Sequence, residues 1–453
     1  MNKQNILVQI PIDIGDGLTL RWATIADNEQ LVELAFHALD EGDEASPMVK
    51  TFVQDWTDGK FPILRHEDMT VVEDSRTGKI VSSMCLFSHT WRYGETPFKV
   101  GRPELVMTQT DYRRRGLVRA QFEVIHALSL QRGEVLQVIT GIPSFYRLLG
   151  YQPCLELGGG YRIYPPSFPK INDEVAGEYR LRTPITRAES DFVRQLHTQN
   201  TRTMLFSMDV GDQTWEFEFD GYTDGSDGKF EWLLIEDKAG ERLGYVHHQH
   251  IFWGPTMTVN FLALKRGVGY LNMLPHLLHG LWNIAQTKFV EDDFGHPTEE
   301  MRGLYLRLGR QHPIYDAIGR EVMLKAPPYA WFVRLPDEVA YLKAVKPQLE
   351  AHLAQSVGAG FSGELRLNFY QRGACLKFQS GKLDIEAWQP SDGSAGDAHF
   401  PADSFWSLLC GQRTAAQLVE EIGDCFMSRT ALAMLDCLFP QFSGQIWVVG
   451  GGA

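Results

Sequence analysis

The stretch Glu104–Arg119, ELVMTQTDYRRRGLVR, decides how the rest of the chain is read. It opens as a strand. A turn then places Arg113, Arg114 and Arg115 directly before Gly116, and a helical pattern runs on to about Arg132, with Leu117, Ala120, Val124, Ala127 and Leu128 on one face. A helix N-terminus carries partial positive charge, so acidic side chains belong there and basic ones are unfavourable. Here three arginines precede the helix, and Arg119 adds a fourth one turn in. A bound anion resolves the conflict: backbone N–H groups of the turn hold a pyrophosphate, the arginines neutralise it, and Gly116 lets the backbone approach closely. Taken alone, the same run reads equally as a solvated basic loop.

Working outward, VLQVIT (135–140) reads as a strand and SFYRLLGY (144–151) as a short helix ending at Gly150. Upstream, LTLRWA (18–23) alternates like a strand, with Asp27 as the expected N-cap of a helix carrying Leu31, Leu34 and Ala35. TVVED (70–74), Gly78 and KIVSSMCLFSHTWRY (79–93) form a hairpin pattern. Two Pro-rich stretches, Tyr164 to Glu178 and Leu324 to Asp337, divide the chain into units at 1–165, 178–334 and 338–453. The second unit repeats the element order of the first, and GLYLRLGRQ aligns with SFYRLLGYQ so that Tyr305 falls on Tyr146. The third opens with a helix from Glu338 to about Gln355, continues with strands ELRLNFY, ACLKFQ and KLDIEAW, and closes with helices around Phe405 to Ile422 and Arg429 to Leu438, an α+β pattern.

The 453 residues suffice for about three self-supporting cores. The formal net charge of −14 argues against nonspecific nucleic-acid binding, which draws its affinity from basic surface, and suits a cationic substrate. No apolar run is long enough to span a membrane, and the N-terminus lacks the apolar core of a signal peptide. Six dispersed cysteines (85, 154, 375, 410, 425 and 437) with no CxxC pair suggest a reducing, cytoplasmic setting.

The order strand, Arg113-Arg114-Arg115-Gly116-Leu117-Val118, long helix, strand, then Tyr146-Arg147-Leu148-Leu149-Gly150-Tyr151, resembles the GNAT acyltransferase superfamily. The RRRG motif followed by two aliphatics and Arg119 resembles, within it, the Eis (enhanced intracellular survival) family of N-acetyltransferases. Val118 departs from the small residue usual at that place. The resemblance implies an α/β (α+β) architecture: a catalytic GNAT domain, a second degenerate GNAT-like domain and a C-terminal domain similar to sterol carrier proteins. The second unit offers only Lys265-Arg266-Gly267 in place of the Arg-x-x-Gly motif. The family transfers acetyl from acetyl-CoA directly to an amine, such as an aminoglycoside-like polyamine or a lysine, without a metal.

Carried onto this chain, the resemblance implies that the strand edge at Val106, Met107 and Thr108 pairs with pantetheine. Arg114, Arg115, Gly116, Leu117, Val118 and Arg119 hold the pyrophosphate, and Gly141 and Ile142 line the cofactor's other side. Tyr146 protonates the departing thiolate, a transfer its phenol of pKa ~10 can make to a thiolate whose conjugate acid lies near ~8.5. The general base is the C-terminal carboxylate, here on Ala453 at the end of WVVGGGA, with Glu104 as the runner-up. The family also implies a homo-oligomer, often a hexamer. A noncatalytic acyl-CoA- or lipid-binding scaffold is the rival reading.

Other signals carry less. Gly358-Ala359-Gly360-Phe361-Ser362-Gly363 matches G-x-G-x-x-G but follows a helix and precedes a strand, the reverse of a dinucleotide site. His247, His248 and His250 lie in a strand pattern without a matching Cys or carboxylate cluster. The acidic runs at 40–44 and 291–293 read as solvated loops, the first of which could help attract a polycationic amine.

Overall fold

The computed structural model describes residues 10–38, 47–171, 177–184, 186–249, 255–288, 301–401, 404–442 and 446. Three sheets organise them. The nine-stranded first sheet runs Ile12–Asp13, Leu18–Trp22, Met69–Asp74, Lys79–Tyr93, Thr96–Thr108, Leu136–Ile139, Tyr329–Arg334 and Gln152–Leu157, with Phe206–Asp209 paired to the far end of Lys79–Tyr93. The seven-stranded second sheet runs Leu324–Ala326, Gly160–Ile163, Gly303–Leu306, Thr256–Leu264, Arg242–Gln249, Phe230–Asp237 and Tyr179–Arg182. The third has four strands: Lys382–Trp388, Gly373–Gln379, Gly363–Asn368 and Ala398–His399.

The first two sheets exchange equivalent strands. In the first unit, strand Leu136–Ile139 is followed by the short helix Pro143–Arg147 and strand Gln152–Leu157; in the second, Gly303–Leu306 is followed by helix Pro313–Ile318 and strand Leu324–Ala326. The next strand then leaves its own sheet. Gly160–Ile163 inserts between Gly303–Leu306 and Leu324–Ala326. Tyr329–Arg334 inserts between Leu136–Ile139 and Gln152–Leu157. The boundaries expected at 165 and 334 therefore follow the covalent chain but not the sheets, since each Pro-rich stretch abuts a strand that completes the other unit. The repeat lies in this order of elements. The alignment of Tyr305 with Tyr146 is out of register, because Tyr305 is a strand residue and Tyr146 a helical one; the second unit's short helix carries Tyr315 instead.

The two crossings touch. Gly158, Gly159 and Gly160 all take positive φ, at 66°, 80° and 136°. A Cβ on Gly159 would stand 2.7 Å from the Pro328 nitrogen, and one on Gly160 would stand 2.1 Å from the Leu306 carbonyl oxygen. Only glycine reconciles that backbone with that proximity.

One core joins the first and third units. Trp91, Phe98, Leu136 and Trp331 of the first sheet pack in the same cluster as Tyr341, Leu342, Val345 and Leu349 of helix Glu338–Ala354 and Leu365, Leu376 and Ile385 of the third sheet. Two expectations of local structure are corrected. Asp27 is not the N-cap of the longer helix but the last residue of a one-turn 3-10 helix, Ile25–Asp27, where its carboxylate accepts the Thr24 N–H in a capping box and ion-pairs with Arg21 at 2.7 Å; the longer helix runs Asn28–Ala38. The helix expected from Phe405 to Ile422 is two, Ser404–Leu409 and Ala415–Glu421, with Gly411 at φ 68° between them.

Gly159→Ala meets both left-handed strain, worth about 1–2 kcal/mol, and the Pro328 contact. Urea denaturation is expected to show a loss of at least that size, whereas Gly177→Ala, at φ 78° with no described atom within 4 Å of the added Cβ, should lose the strain contribution alone.

Candidate active site

The site begins with a defect in strand pairing. Along the hairpin, Ser83 pairs with Met107 but Cys85 with Glu104, so Leu105 and Val106 together stand opposite Met84, and Leu105 takes φ 50°. This bulge bends the strand and increases its twist. On its other side the same strand pairs with Leu136–Ile139 at Val100 and Gly101 only. Beyond Gly101 the two strands diverge, and residues 102–108 present an edge with no strand beside it among the described residues. Val106 and Thr108 are half-buried on that edge, and Met107 is buried.

Helix Leu117–Gln131 is pinned beside this edge. Buried Gln121 donates to Ser82 Oγ at 2.7 Å, and Ser82 donates to the Met107 carbonyl at 2.7 Å. The turn before the helix is anchored by Tyr112, whose hydroxyl donates to Asp74 at 2.7 Å. Arg76 and Tyr112 hold the Asp74 carboxyl well below the usual carboxylate range. Arg115 donates to the Asp111 carbonyl at 3.1 Å and lies 4.9 Å over the Tyr112 ring. Arg114 and Arg119 are exposed and have no side-chain partner among the described residues. Arg114 takes φ 64° and Gly116 φ 80°. A non-glycine residue held there costs on the order of 1 kcal/mol, and the helix's first turn holds no acid. Among the described residues nothing lies within 4 Å of where a Gly116 Cβ would be, so conformation rather than crowding requires the glycine.

Tyr146 sits on helix Pro143–Arg147 with 8% of its surface exposed, among Phe122, Tyr151 and Phe332. A Cβ on Gly141 would stand 2.9 Å from its ring, which explains the glycine there. Ile142 is 63% exposed. Burial, the Glu104 charge and Tyr329 all push the Tyr146 phenol well above its ordinary range. Tyr146 therefore stays protonated at any physiological pH, and its hydroxyl makes no hydrogen bond to a described residue.

Glu104 is half-buried and ion-paired with Arg102 at 2.7 Å. Burial raises its carboxyl against the opposing pull of Arg102. Arg102 is fully buried, its guanidinium 5.8 Å from the Phe87 ring and 5.2 Å from that of Trp331. Trp331 comes from the exchanged strand and donates to the Ile446 carbonyl at 3.1 Å. Ala453 and the WVVGGGA tail lie outside the described residues, as do His250 and both acidic runs. Strand alternation already placed Arg102 on the face of Glu104, so its role was readable. That of Trp331 and of Tyr329, which donates to the Gly141 carbonyl, was not, because it depends on the strand exchange.

Residues 20–154 match the family model of the acetyltransferase (GNAT) domain. This part of the chain is a GNAT acetyltransferase domain. Solved structures extend the likeness to the whole chain. A GCN5-related N-acetyltransferase from Anabaena variabilis is 15% identical, with TM-score 0.65 over 95% of this chain and 99% of its own. A conserved Enterococcus faecalis protein described as a probable N-acyltransferase is 12% identical, with TM-score 0.66 over 95% and 99%. Eis1 from Mycobacterium abscessus is 15% identical, with TM-score 0.58 over 96% and 100%. At these identities the likeness is one of fold, and it includes the Eis-type arrangement. No curated protein matches the chain in sequence. The GNAT domain assigns acyl transfer, with an acyl-CoA as co-substrate, as the general chemistry of the site. No described helix is long and apolar enough to cross a membrane.

His126, which meets the Tyr151 hydroxyl at 2.8 Å behind Tyr146, is lowered to about 3 by burial. Its folded pKa is depressed, so its contribution to stability is whole above about 6.5 and is lost as pH falls towards 3. Melting temperature is expected to drop across that window, and His126→Gln should make the drop shallower.

Proposed function

We propose that this protein is an acetyl-CoA-dependent N-acetyltransferase acting on an amine, either an aminoglycoside-like polyamine or a lysine side chain. The observation that carries this reading is the strand edge at residues 102–108, open among the described residues: at one end it leads into the turn of Arg114, which like Arg119 has no side-chain partner among the described residues, and at the other it carries Glu104, whose charge acts on buried Tyr146. Acetyl-CoA supplies a thioester whose acyl carbon the amine nitrogen attacks. The main chain of Val106, Met107 and Thr108 pairs with the pantetheine amides and orients the thioester. The turn N–H groups with Arg114, Arg115, Gly116, Leu117, Val118 and Arg119 hold the pyrophosphate. Gly141 and Ile142 flank the opposite side.

As the carbon–sulfur bond breaks, Tyr146 gives its proton to the sulfur, while a base removes one proton from the nitrogen, so charge balances across the step. The base in this reading is the Ala453 carboxylate. Its support is indirect: Ile446, seven residues upstream, is held by Trp331, which itself packs on Arg102. A second reading gives the role to Glu104, whose raised carboxyl lies close enough to Tyr146 to shift its titration. Acceptor attraction is assigned to the overall acidic charge, and the assembly is proposed to be a homo-oligomer.

Tyr146→Phe is expected to lower kcat about 100-fold while leaving acetyl-CoA affinity nearly unchanged. Arg114→Ala and Arg119→Ala should each raise the acetyl-CoA KM by roughly tenfold with little change in kcat. Thiol release measured with a panel of aminoglycosides, polyamines and lysine peptides checks both. Deleting Gly450 to Ala453 should abolish most turnover while Glu104→Gln retains it. The reverse pattern, in a Glu104→Gln protein with an unchanged melting temperature, moves the base to Glu104. Turnover on no amine despite acetyl-CoA binding would favour a scaffold.

A further inference from the structure

Tyr146 rides on a five-residue helix, Pro143–Arg147, and a single helical turn does not hold itself in water. Both of its ends need anchors. At the C-terminal end the Tyr151 N–H donates to the Tyr146 carbonyl at 3.1 Å, and the Tyr151 ring is buried beside His126. The N-terminal end has no side-chain cap and follows directly on the turn at Gly141, whose φ is 119°. No backbone N–H of a described residue donates to the Gly141 carbonyl. Its donor is the Tyr329 hydroxyl, 188 positions away in the chain and carried in by the strand that crosses from the second unit.

This contact bears on the phenol. A Gly141 Cβ would stand 2.9 Å from the Tyr146 ring and 3.5 Å from its hydroxyl, so the Gly141 backbone limits where the hydroxyl end of the ring can lie. The Tyr146 hydroxyl itself makes no hydrogen bond to a described residue, and packing alone aims it. Tyr329 is 46% exposed, so its ring adds little to the core, and its hydroxyl is the part that reaches the first unit's turn. Phe332, from the same crossing strand, has its ring centroid 6.2 Å from that of Tyr329 and 6.5 Å from that of Tyr146. One strand thus touches both the ring of Tyr146 and the turn beside its hydroxyl.

We propose that Tyr329 is a positioning residue for acyl transfer: by holding the Gly141 carbonyl it fixes the turn against which the Tyr146 phenol rests, and so aims the Tyr146 proton at the departing sulfur. This role rests on the reading of Tyr146 as the acid. It makes the second unit, which carries no Arg-x-x-Gly motif of its own, a working part of the first unit's site.

Steady-state kinetics of the wild type, Tyr329→Phe, Tyr146→Phe and the double variant test it, with acetyl-CoA and whichever aminoglycoside, polyamine or lysine peptide releases thiol fastest. Misplacing a reacting group by ~1 Å costs up to about 100-fold, and Tyr329→Phe, which removes one anchor and keeps the ring, is expected to lower kcat about tenfold. Its acetyl-CoA dissociation constant should stay within about threefold of the wild type, and its melting temperature within about 2 °C. In the Tyr146→Phe background the same substitution should change kcat by less than about twofold, because no acid remains to be aimed. An unimpaired Tyr329→Phe beside an impaired Tyr146→Phe overturns the role of Tyr329 and leaves the acid in place. A tenfold loss in both backgrounds overturns it too, since the hydroxyl would then act without Tyr146. Full activity of Tyr146→Phe, or no thiol release by the wild type with any amine, removes the acid or the reaction itself, and the role of Tyr329 falls with it.

Discussion

The contact between Gly159 and Pro328 is the constraint on which the rest of the molecule depends. At that point the chain leaving the first unit and the chain returning from the second pass each other with room for a hydrogen atom and no more. Because they pass, the first sheet receives Tyr329–Arg334 between its inner strand and its edge, and the second receives Gly160–Ile163 in the same place. Neither sheet is complete without the other unit's chain. The first unit is thus assembled from segments far apart in sequence, and loop closure of that length is a cost that only extensive burial offsets. The shared core with Trp331, Tyr341 and Leu349 supplies such burial and joins the third unit to the first.

The two related units treat the same cleft differently. In the first, pairing of the two parallel strands stops at Gly101 and an edge stays open. In the second, pairing extends over Thr256 to Val259, and the Arg307 N–H then reaches the Val259 carbonyl at 2.8 Å. His312 continues the closure. Its Nδ1 faces the Ile314 N–H at 3.3 Å and its Nε2 lies 3.0 Å from the Leu262 carbonyl, which fixes the tautomer with the proton on Nε2. Burial lowers His312 to about 4, so it stays neutral and keeps that arrangement. The turn at Lys265 is likewise engaged, with the ammonium on Glu241 at 2.8 Å. A strand edge whose carbonyls are already satisfied has little to offer a ligand that binds by pairing with the main chain.

What could be read in the sequence was local. The helix Leu117–Gln131, the hairpin before it and the helix Glu338–Ala354 follow from periodicity and turn residues, because each buries its own apolar face. The Arg113 to Gly116 turn was legible through a conflict, cations at the positive end of a helix, and conflicts of that kind mark places where folding is not the only requirement. What could not be read was non-local. Nothing local in Gly158 to Gly160 marks a crossing, the bulge at Leu105 has no composition signal, and Trp331 is one aromatic among many until the exchanged strand puts it against Arg102. The misaligned Tyr305 shows the same limit: matching letters were out of register, while the order of elements was right.

The electrostatics of the first unit follow from that assembly. Trp331 and Phe87 wall Arg102 off from water, so its attraction for Glu104 acts with little screening. Even so, burial prevails, and the Glu104 carboxyl stays above its ordinary range. Burial is the largest reason that the Tyr146 phenol resists ionisation, and the nearby Glu104 carboxylate adds to it. The strand that crosses from the second unit therefore does more than complete a sheet. It supplies a ring that seals Arg102 from solvent, and Arg102 in turn holds Glu104, the acidic neighbour of Tyr146 on a different element.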